Sequence, residues 1–167
     1  MRPSPPIDVT RRTIRDLRAA RSPGAALALL AAGPSSGWRA VVALLGRLAG
    51  GAVFVVFGLG KFVNHSSELT SFHAYGLPAP DAFVYVIGVI EFVGGLLLML
   101  GLLTRPAAVV LGGDMVGAIV VSGIGLGELV SLTLAPAELA LCLFLLWTGP
   151  GMLALDRRIL VRRSGPG

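Results

Sequence analysis

Four long apolar stretches, each almost free of charged residues, dominate the hydropathic pattern of this chain. They occupy residues 40–61, 82–103, 107–124 and 129–148. Each is close to the roughly 20 residues that a helix needs to cross a hydrocarbon core about 30 Å thick. The pattern therefore predicts an all-α membrane protein with four transmembrane helices.

The links between these stretches indicate how the helices are arranged. Residues 104–106 join the second stretch to the third, and residues 125–128 join the third to the fourth. Links this short force consecutive helices to be antiparallel neighbours. The first link, residues 62–81, is long and holds both histidines. We therefore expect an antiparallel bundle over residues 40–148 that forms one membrane domain.

The flanks of the bundle are basic. Residues 1–39 contain seven arginines, and within them residues 8–21 have the spacing of an amphipathic helix that lies on an anionic membrane surface. Residues 149–167 form a basic tail. An alternative interpretation makes residues 1–33 a cleaved signal peptide, because a basic region precedes a short apolar run.

Charge also predicts orientation and class. The two flanks and Arg105 carry 12 of the 14 basic residues, so the positive-inside rule predicts a multi-pass protein of the cell membrane with both termini in the cytoplasm. Hydrophobic residues make up 54% of the chain and charged residues 14%, a balance typical of membrane proteins. We expect contact with membrane lipid and none with nucleic acid, since neither basic flank interleaves aromatic residues.

Five ionisable residues interrupt the apolar stretches. They are Arg47, Lys61, Glu91, Asp114 and Glu138. A charge at bilayer depth costs about 2.5–3.5 kcal/mol on insertion scales, so such residues normally face the bundle interior and pair with one another. We therefore predict a polar intramembrane cluster, in which Arg47 meets Asp114 or Glu138 and Glu91 reaches toward Lys61.

One helix stripe supports the inward orientation of the two cations. Arg47, Gly51, Phe54, Gly58 and Lys61 are spaced four and three residues apart, which places them on one face of the first helix. Two alternatives stay open: the charges only fix helix register, or Lys61 extends to the outer surface by itself.

The cluster suggests proton chemistry. Three carboxylates share the bilayer interior with one deep cation, so at least one carboxyl group is expected to hold a proton at neutral pH. A cluster that shares protons suits either quinone chemistry or proton-coupled transport.

Metal and thiol chemistry receive little support. His65, Glu68 and His73 match no strong ligand spacing, so we expect solvated loop histidines and no metal site. Cys142 is the single cysteine, which excludes a disulfide or a CxxC pair within one chain and predicts a buried thiol. No covalently bound cofactor is expected.

Four segments resemble the DoxX family of four-helix membrane proteins. GRLAGGAVFVVFGLGKF (46–62) is similar to its opening span, and FHAYGLPAP (72–80) resembles its loop motif. IGVIEFVGGLLLMLGLLTRPAA (87–108) is similar to its second span, and GPGMLALD (149–156) resembles its closing Gly-x-Gly-x-x-Ser-x-Asp signature. The resemblance covers roughly residues 40–156.

The resemblance implies which residues match family positions and what role the protein has. Family positions by motif match are Arg47, Lys61, Glu91, Gly149, Gly151 and Asp156. Asp114 is not a family position, and Ala154 stands where a serine is usual. The family takes its name from a subunit of thiosulfate:quinone oxidoreductase. The resemblance therefore implies a membrane subunit that anchors or supports an oxidoreductase complex, with a redox protein partner and quinone as the non-covalent cofactor.

Two functions from other classes remain. A small proton-coupled transporter or channel would use the intramembrane carboxylates and would act as a homo-oligomer, since four spans are few. A non-catalytic membrane scaffold would use its basic tails to dock proteins or anionic lipid. A subunit that supports an oxidoreductase, rather than a self-sufficient enzyme, is the preferred hypothesis.

Overall fold

The structure is a computed structural model that describes residues 32–34 and 36–157. The proposed amphipathic helix at residues 8–21 and the alternative signal peptide lie outside the described residues. The described part is helical, and its elements are α1 (Trp38–Val63), α2 (His65–Ala74), α3 (Pro80–Leu100), α4 (Thr104–Ala118) and α5 (Leu129–Thr148). A π-helical segment, Ile119–Ile124, continues α4.

Four of these helices are long and apolar enough to cross a membrane. They are Trp38–Val63, Pro80–Leu100, Thr104–Ile124 and Leu129–Thr148, with mean hydropathy between 2.0 and 2.4. Only 28–39% of the residues in each apolar window are buried inside the protein. The exposed remainder is apolar, as at Leu45, Val56 and Leu143. Such a surface is stable in lipid, so the prediction of a four-span membrane protein is confirmed.

The four spans form a closed ring. Each helix packs against two others, in the order α1, α3, α4, α5 and back to α1. The predicted neighbours across both short links are therefore confirmed. The long link contains a helix that the sequence pattern did not indicate: α2 packs mainly against α3, at the end of the bundle where α1 ends and α3 begins. We call this end the α2 end.

Glycines bring α1 and α3 into backbone contact. A β-carbon on Gly95 would stand 2.6 Å from the carbonyl oxygen of Gly51, and one on Gly58 would stand 2.8 Å from that of Gly88. In lipid, where helices gain little from burying apolar area, close backbone approach supplies the packing contacts. Gly113 and Gly117 of α4 differ, since a β-carbon on either would meet no atom within 4 Å.

The chain after α5 turns back over the opposite end of the bundle. Gly149 and Gly151 have φ angles of 80° and 69°, a left-handed conformation that glycine adopts without strain. A β-carbon on Gly151 would stand 2.8 Å from the β-carbon of Ala43. Pro150 and Ala154 are buried. The first residues of the predicted tail 149–167 are thus part of the bundle.

Candidate functional site

The predicted stripe on α1 faces the protein interior. Arg47, Gly51, Phe54, Gly58 and Lys61 are all buried. The two glycines of the stripe lie against α3, so the cations on either side of them also point toward α3 and the bundle interior. The helical spacing of the sequence correctly predicted this face.

Lys61 forms an ion pair with Glu91. The ammonium nitrogen of Lys61 donates a hydrogen bond of 2.7 Å to Oε2 of Glu91, across the α1–α3 contact. Both side chains are at least nine-tenths buried. Lys61 is therefore paired inside the bundle, and the alternative in which it extends alone to the outer surface is not what the structure shows.

Two further carboxylates approach the same interior space. The Asp114 carboxyl group, on α4, lies within hydrogen-bonding reach of Glu91. Glu138, on α5, is 7% exposed and lies against Gly50 of α1. Oδ2 of Asp114 and Oε2 of Glu138 are buried without a hydrogen-bond partner. Carboxylates from three helices thus converge, and Asp114 and Glu138 each keep one oxygen that can interact with a proton or a guest.

These groups line a cavity of about 380 Å³ between the spans at the α2 end. Lys61, Glu91, Asp114 and Glu138 all belong to its wall. Most other wall residues are apolar, including the aromatic residues Phe54, Phe57, Phe72, Tyr75 and Phe83. Gly113 and Gly117 border the cavity, which explains why no helix packs on them. An apolar cavity with a few convergent polar groups is the usual form of a small-molecule site.

A hydrogen-bonded rim, made of Tyr75, Ser122, Glu128 and Ser131, lies at the α2 end of the cavity. The Tyr75 hydroxyl donates to Oε2 of Glu128 at 3.2 Å, and the Ser131 hydroxyl donates to the same oxygen at 3.0 Å. Ser122 donates to Ser131 and lies in the π-helical segment. π-helical turns often occur at functional sites. The rim ties α2 to the α4–α5 link.

The contacts in the rim shift the pKa values of Glu128 and Tyr75. Hydrogen bonding to the ionised carboxylate, from the Ser122–Ser131 hydroxyl pair and from Tyr75, holds the pKa of Glu128 below its ordinary value, although burial opposes it. Burial, and then the Glu128 charge, raise the pKa of the Tyr75 hydroxyl. Glu128 is therefore a carboxylate that the protein keeps ionised at the edge of the cavity.

Arg47 does not join the cluster, contrary to the prediction that it meets Asp114 or Glu138. Its guanidinium donates to the carbonyl oxygen of Met152 at 3.2 Å and packs against Gly101, at the end opposite to α2. The physical reason is the length of the side chain, which lets an arginine extend along its helix toward the nearer membrane surface. Arg47 therefore binds the segment after α5, whereas Lys61 lines the cavity.

The closing family motif, residues 149–156, has a structural role. Asp156 accepts hydrogen bonds from the backbone nitrogens of Leu103 (2.9 Å) and Thr104 (3.3 Å), and so caps the start of α4. The two glycines make the turn that brings it there. Gly149, Gly151 and Asp156 therefore lie at the opposite end from the cavity.

Several cavity residues were not predicted. Tyr75 and Glu128 lie in links, and Ser122 and Ser131 lie near the ends of the third and fourth apolar stretches. Polar residues are ordinary at such places and carry no sequence signal. His65 binds Asp81 at 2.8 Å and stacks on Tyr85, so it belongs to the surface of α2 and α3. Within the described chain no three His, Cys, Asp or Glu side chains are grouped to hold a metal ion. Cys142 is fully buried, as predicted.

Fold and site together define a class: a small four-span helical membrane protein whose bundle contains a mainly apolar cavity with a few convergent charged groups. The chain belongs to the DoxX family, whose profile matches residues 42–124. The resemblance seen in the sequence is therefore confirmed.

Three relatives extend the comparison. Uncharacterized membrane protein Rv3486 of Mycobacterium tuberculosis is 39% identical over 136 residues, covering 72% of this chain and 83% of the relative. "Putative oxidoreductase CatD" of Bacillus subtilis is 40% identical over 77 residues, 46% of this chain and 56% of the relative. Inner membrane protein YphA of Escherichia coli is 29% identical over 132 residues, 72% and 91% of the two chains. No solved structure matches the chain.

Proposed function

We propose that this protein is a membrane subunit that anchors or supports an oxidoreductase complex and binds a quinone in the cavity beside Lys61 and Glu91. The observation that carries the proposal is the cavity itself, which combines an apolar wall with a buried ion pair. A subunit that served only to fix helix register would need the ion pair but not the space. The name of the relative CatD supports a redox context.

The cavity fits a quinone ring by volume and chemistry. Its volume lies at the lower end of the range of about 300–1,000 Å³ for small-molecule pockets. Aromatic and aliphatic side chains would pack on the ring, and the ammonium of Lys61 would donate to a ring carbonyl. A bound quinone supplies two-electron chemistry coupled to two protons. The carboxyl groups of Asp114 and Glu138, which both line the cavity, would hold protons beside it.

The electrons would come from a protein partner. Cys142 is the single cysteine, so one chain has too few thiolates for an iron–sulfur cluster. The partner would carry the redox cofactor and dock on the membrane subunit. In the orientation that we propose for the cell membrane, both termini lie in the cytoplasm and the α2 end lies outside.

Quinone labelling and co-purification test this proposal. The full chain would be purified in mild detergent with its native lipids, exposed to a photoreactive quinone, and digested for mass spectrometry. We expect labelled peptides from α1 and α3, protection by unlabelled quinone, and less labelling in Lys61→Met than in the surface control Asp81→Asn. Labelling that is equal in both variants, in a protein always recovered without a partner, would contradict the proposal.

A second candidate is a small proton-coupled transporter. The partnerless oxygens of Asp114 and Glu138 favour it, because a transported proton needs a carboxylate that is not committed to an ion pair. Proton flux into proteoliposomes would be measured for wild type, Asp114→Asn and Glu138→Gln. Flux that survives both substitutions would remove this candidate.

A further inference from the structure

The cavity carries a marked excess of negative groups. Besides the phenol of Tyr75, its ionisable lining consists of one ammonium, that of Lys61, and five carboxyl groups: Glu68, Glu91, Asp114, Glu128 and Glu138. Lys61 forms its ion pair with Glu91, whose Oε2 is 2.7 Å away. Hydrogen bonds from Tyr75 and Ser131 stabilise Glu128 without neutralising it. A neutral guest leaves this imbalance in place.

Glu138 is one of the carboxylates in the cavity wall that have no counter-charge among the described residues. The residue is 7% exposed, its Oε2 is buried without a hydrogen-bond partner, and it lines the cavity. Asp114, also in the wall, has a second partnerless oxygen. An ionised carboxylate away from water is stable only when a counter-charge or hydrogen-bond donors reach it. Asp114 and Glu138, which both line the cavity, therefore each need a proton or a cation.

The remaining wall suits a cation that is also apolar. Five aromatic side chains line the same space: Phe54, Phe57, Phe72, Tyr75 and Phe83. Aromatic faces attract ammonium groups through the ring quadrupole, and rings with carboxylates are the recurrent surroundings of quaternary ammonium ligands. A small, strongly hydrated metal ion would gain nothing from these rings.

We propose that the cavity binds an apolar organic cation, such as a quaternary or protonated amine, with Glu138 and Asp114 as its counter-charges and the aromatic wall around its alkyl or aryl groups. This goes beyond the redox role proposed above and does not depend on it. Quinone binding needs neither carboxylate to be ionised, whereas cation binding needs at least one.

The two ligand classes should respond differently to pH. A cation competes with protons for Asp114 and Glu138, so it binds more weakly as the medium becomes more acidic. The other charged or titratable groups that face this space come from every surrounding element: Lys61 of α1, Glu68 and Tyr75 of α2, Glu91 of α3, and Glu128 before α5. Lys61 and Glu91 neutralise each other, so the response should follow Asp114 and Glu138, each of which has an oxygen without a hydrogen-bond partner.

A matched pair of probes tests the proposal on the full chain in mild detergent. Benzyltrimethylammonium is the cation, and neopentylbenzene is its neutral isostere, with carbon in place of nitrogen. Thermal unfolding would be followed through the buried thiol of Cys142, which a fluorogenic maleimide reaches only after unfolding. A ligand that binds only the folded state raises the midpoint in proportion to its occupancy.

We expect the cation to raise the midpoint of wild type and of the control Asp81→Asn, whose exposed carboxylate lies outside the cavity. Neopentylbenzene should have no such effect. Glu138→Gln and Asp114→Asn should each weaken the apparent affinity for the cation on the order of tenfold, and binding should weaken at acidic pH. If Glu138→Gln does not fold, Glu138→Asp keeps the charge and should keep most of the affinity.

Equal stabilisation by the two probes, or cation binding unchanged in both Asp114→Asn and Glu138→Gln, would overturn the proposal. Quinone labelling is a separate measurement, so a protein that is labelled by quinone and indifferent to the cation would refute this inference alone. A protein stabilised by the cation but not labelled by quinone would refute only the redox proposal.

Discussion

The ammonium nitrogen of Lys61 and Oε2 of Glu91 are 2.7 Å apart, and this pair joins α1 to α3 beside the cavity. Removing one partner leaves the other charge buried alone, which typically costs about 3–5 kcal/mol. We expect Glu91→Gln and Lys61→Met to lower the unfolding midpoint strongly.

The double variant Lys61→Met/Glu91→Leu is the matched control for this pair. It removes both charges together, so its stability should lie closer to wild type than either single variant does. Midpoints would be read through Cys142 labelling. Losses that simply add in the double variant would show that the two residues do not stabilise each other.

Close helix contact at Gly95 predicts a sharp size limit. A β-carbon there would stand 2.6 Å from the carbonyl oxygen of Gly51 and 2.9 Å from the β-carbon of Phe54. Gly95→Ala should therefore separate α1 from α3 and cost about 1–3 kcal/mol, the usual range for overpacking. Gly60→Ala is the control, because a β-carbon at Gly60 meets nothing within 4 Å. A Gly95→Ala protein as stable as Gly60→Ala would contradict the packing.

The cap on α4 predicts a smaller effect. Asp156 accepts hydrogen bonds from the nitrogens of Leu103 and Thr104, so Asp156→Ala should lower stability by about 0.5–2 kcal/mol. Asp156→Asn keeps an acceptor and should lose less. Thermal unfolding of the two variants side by side is the measurement, and an equal loss in both would point to the charge rather than the cap.

The rim predicts a pH dependence with a definite sign. The pKa of Glu128 in the folded protein lies below its ordinary value of 4.5, first because of the Ser122 hydroxyl. A depressed pKa contributes stability that is present above the unfolded value and lost as pH falls through the folded value. Wild type should therefore be more stable than Glu128→Gln above about pH 4.5, and the difference should shrink in more acidic solution. A difference that grows on acidification would contradict this assignment.

Membrane orientation is testable with two exposed serines at opposite ends of the bundle. Ser66 lies on α2 and Ser36 precedes α1, and both are exposed. In intact cells a membrane-impermeant maleimide should label Ser66→Cys but not Ser36→Cys, while both react after permeabilisation. Cys142 is fully buried and provides the background. The reverse pattern would place the α2 end in the cytoplasm.

The sequence alone determined the spans and the buried face of α1. Apolar runs of membrane length and two short links leave few other folds, because backbone groups in lipid must be satisfied within helices. The spacing from Arg47 to Lys61 sets which side chains point inward, since residues three and four apart share one helix face. The sequence also predicted that Glu91 reaches toward Lys61, because the two carry opposite charges on different spans.

Only the tertiary structure decided which partner each charged side chain meets and whether the helices are in contact or enclose a cavity. Arg47 and Lys61 share a face, yet one meets Met152 and the other Glu91, because a long side chain follows whichever partners lie near its end of the helix. The cavity exists because Gly113 and Gly117 face open space while other glycines bring helices together. The sequence does not show which glycines meet a neighbouring helix, so only the packing of all four spans separates a contact from a void.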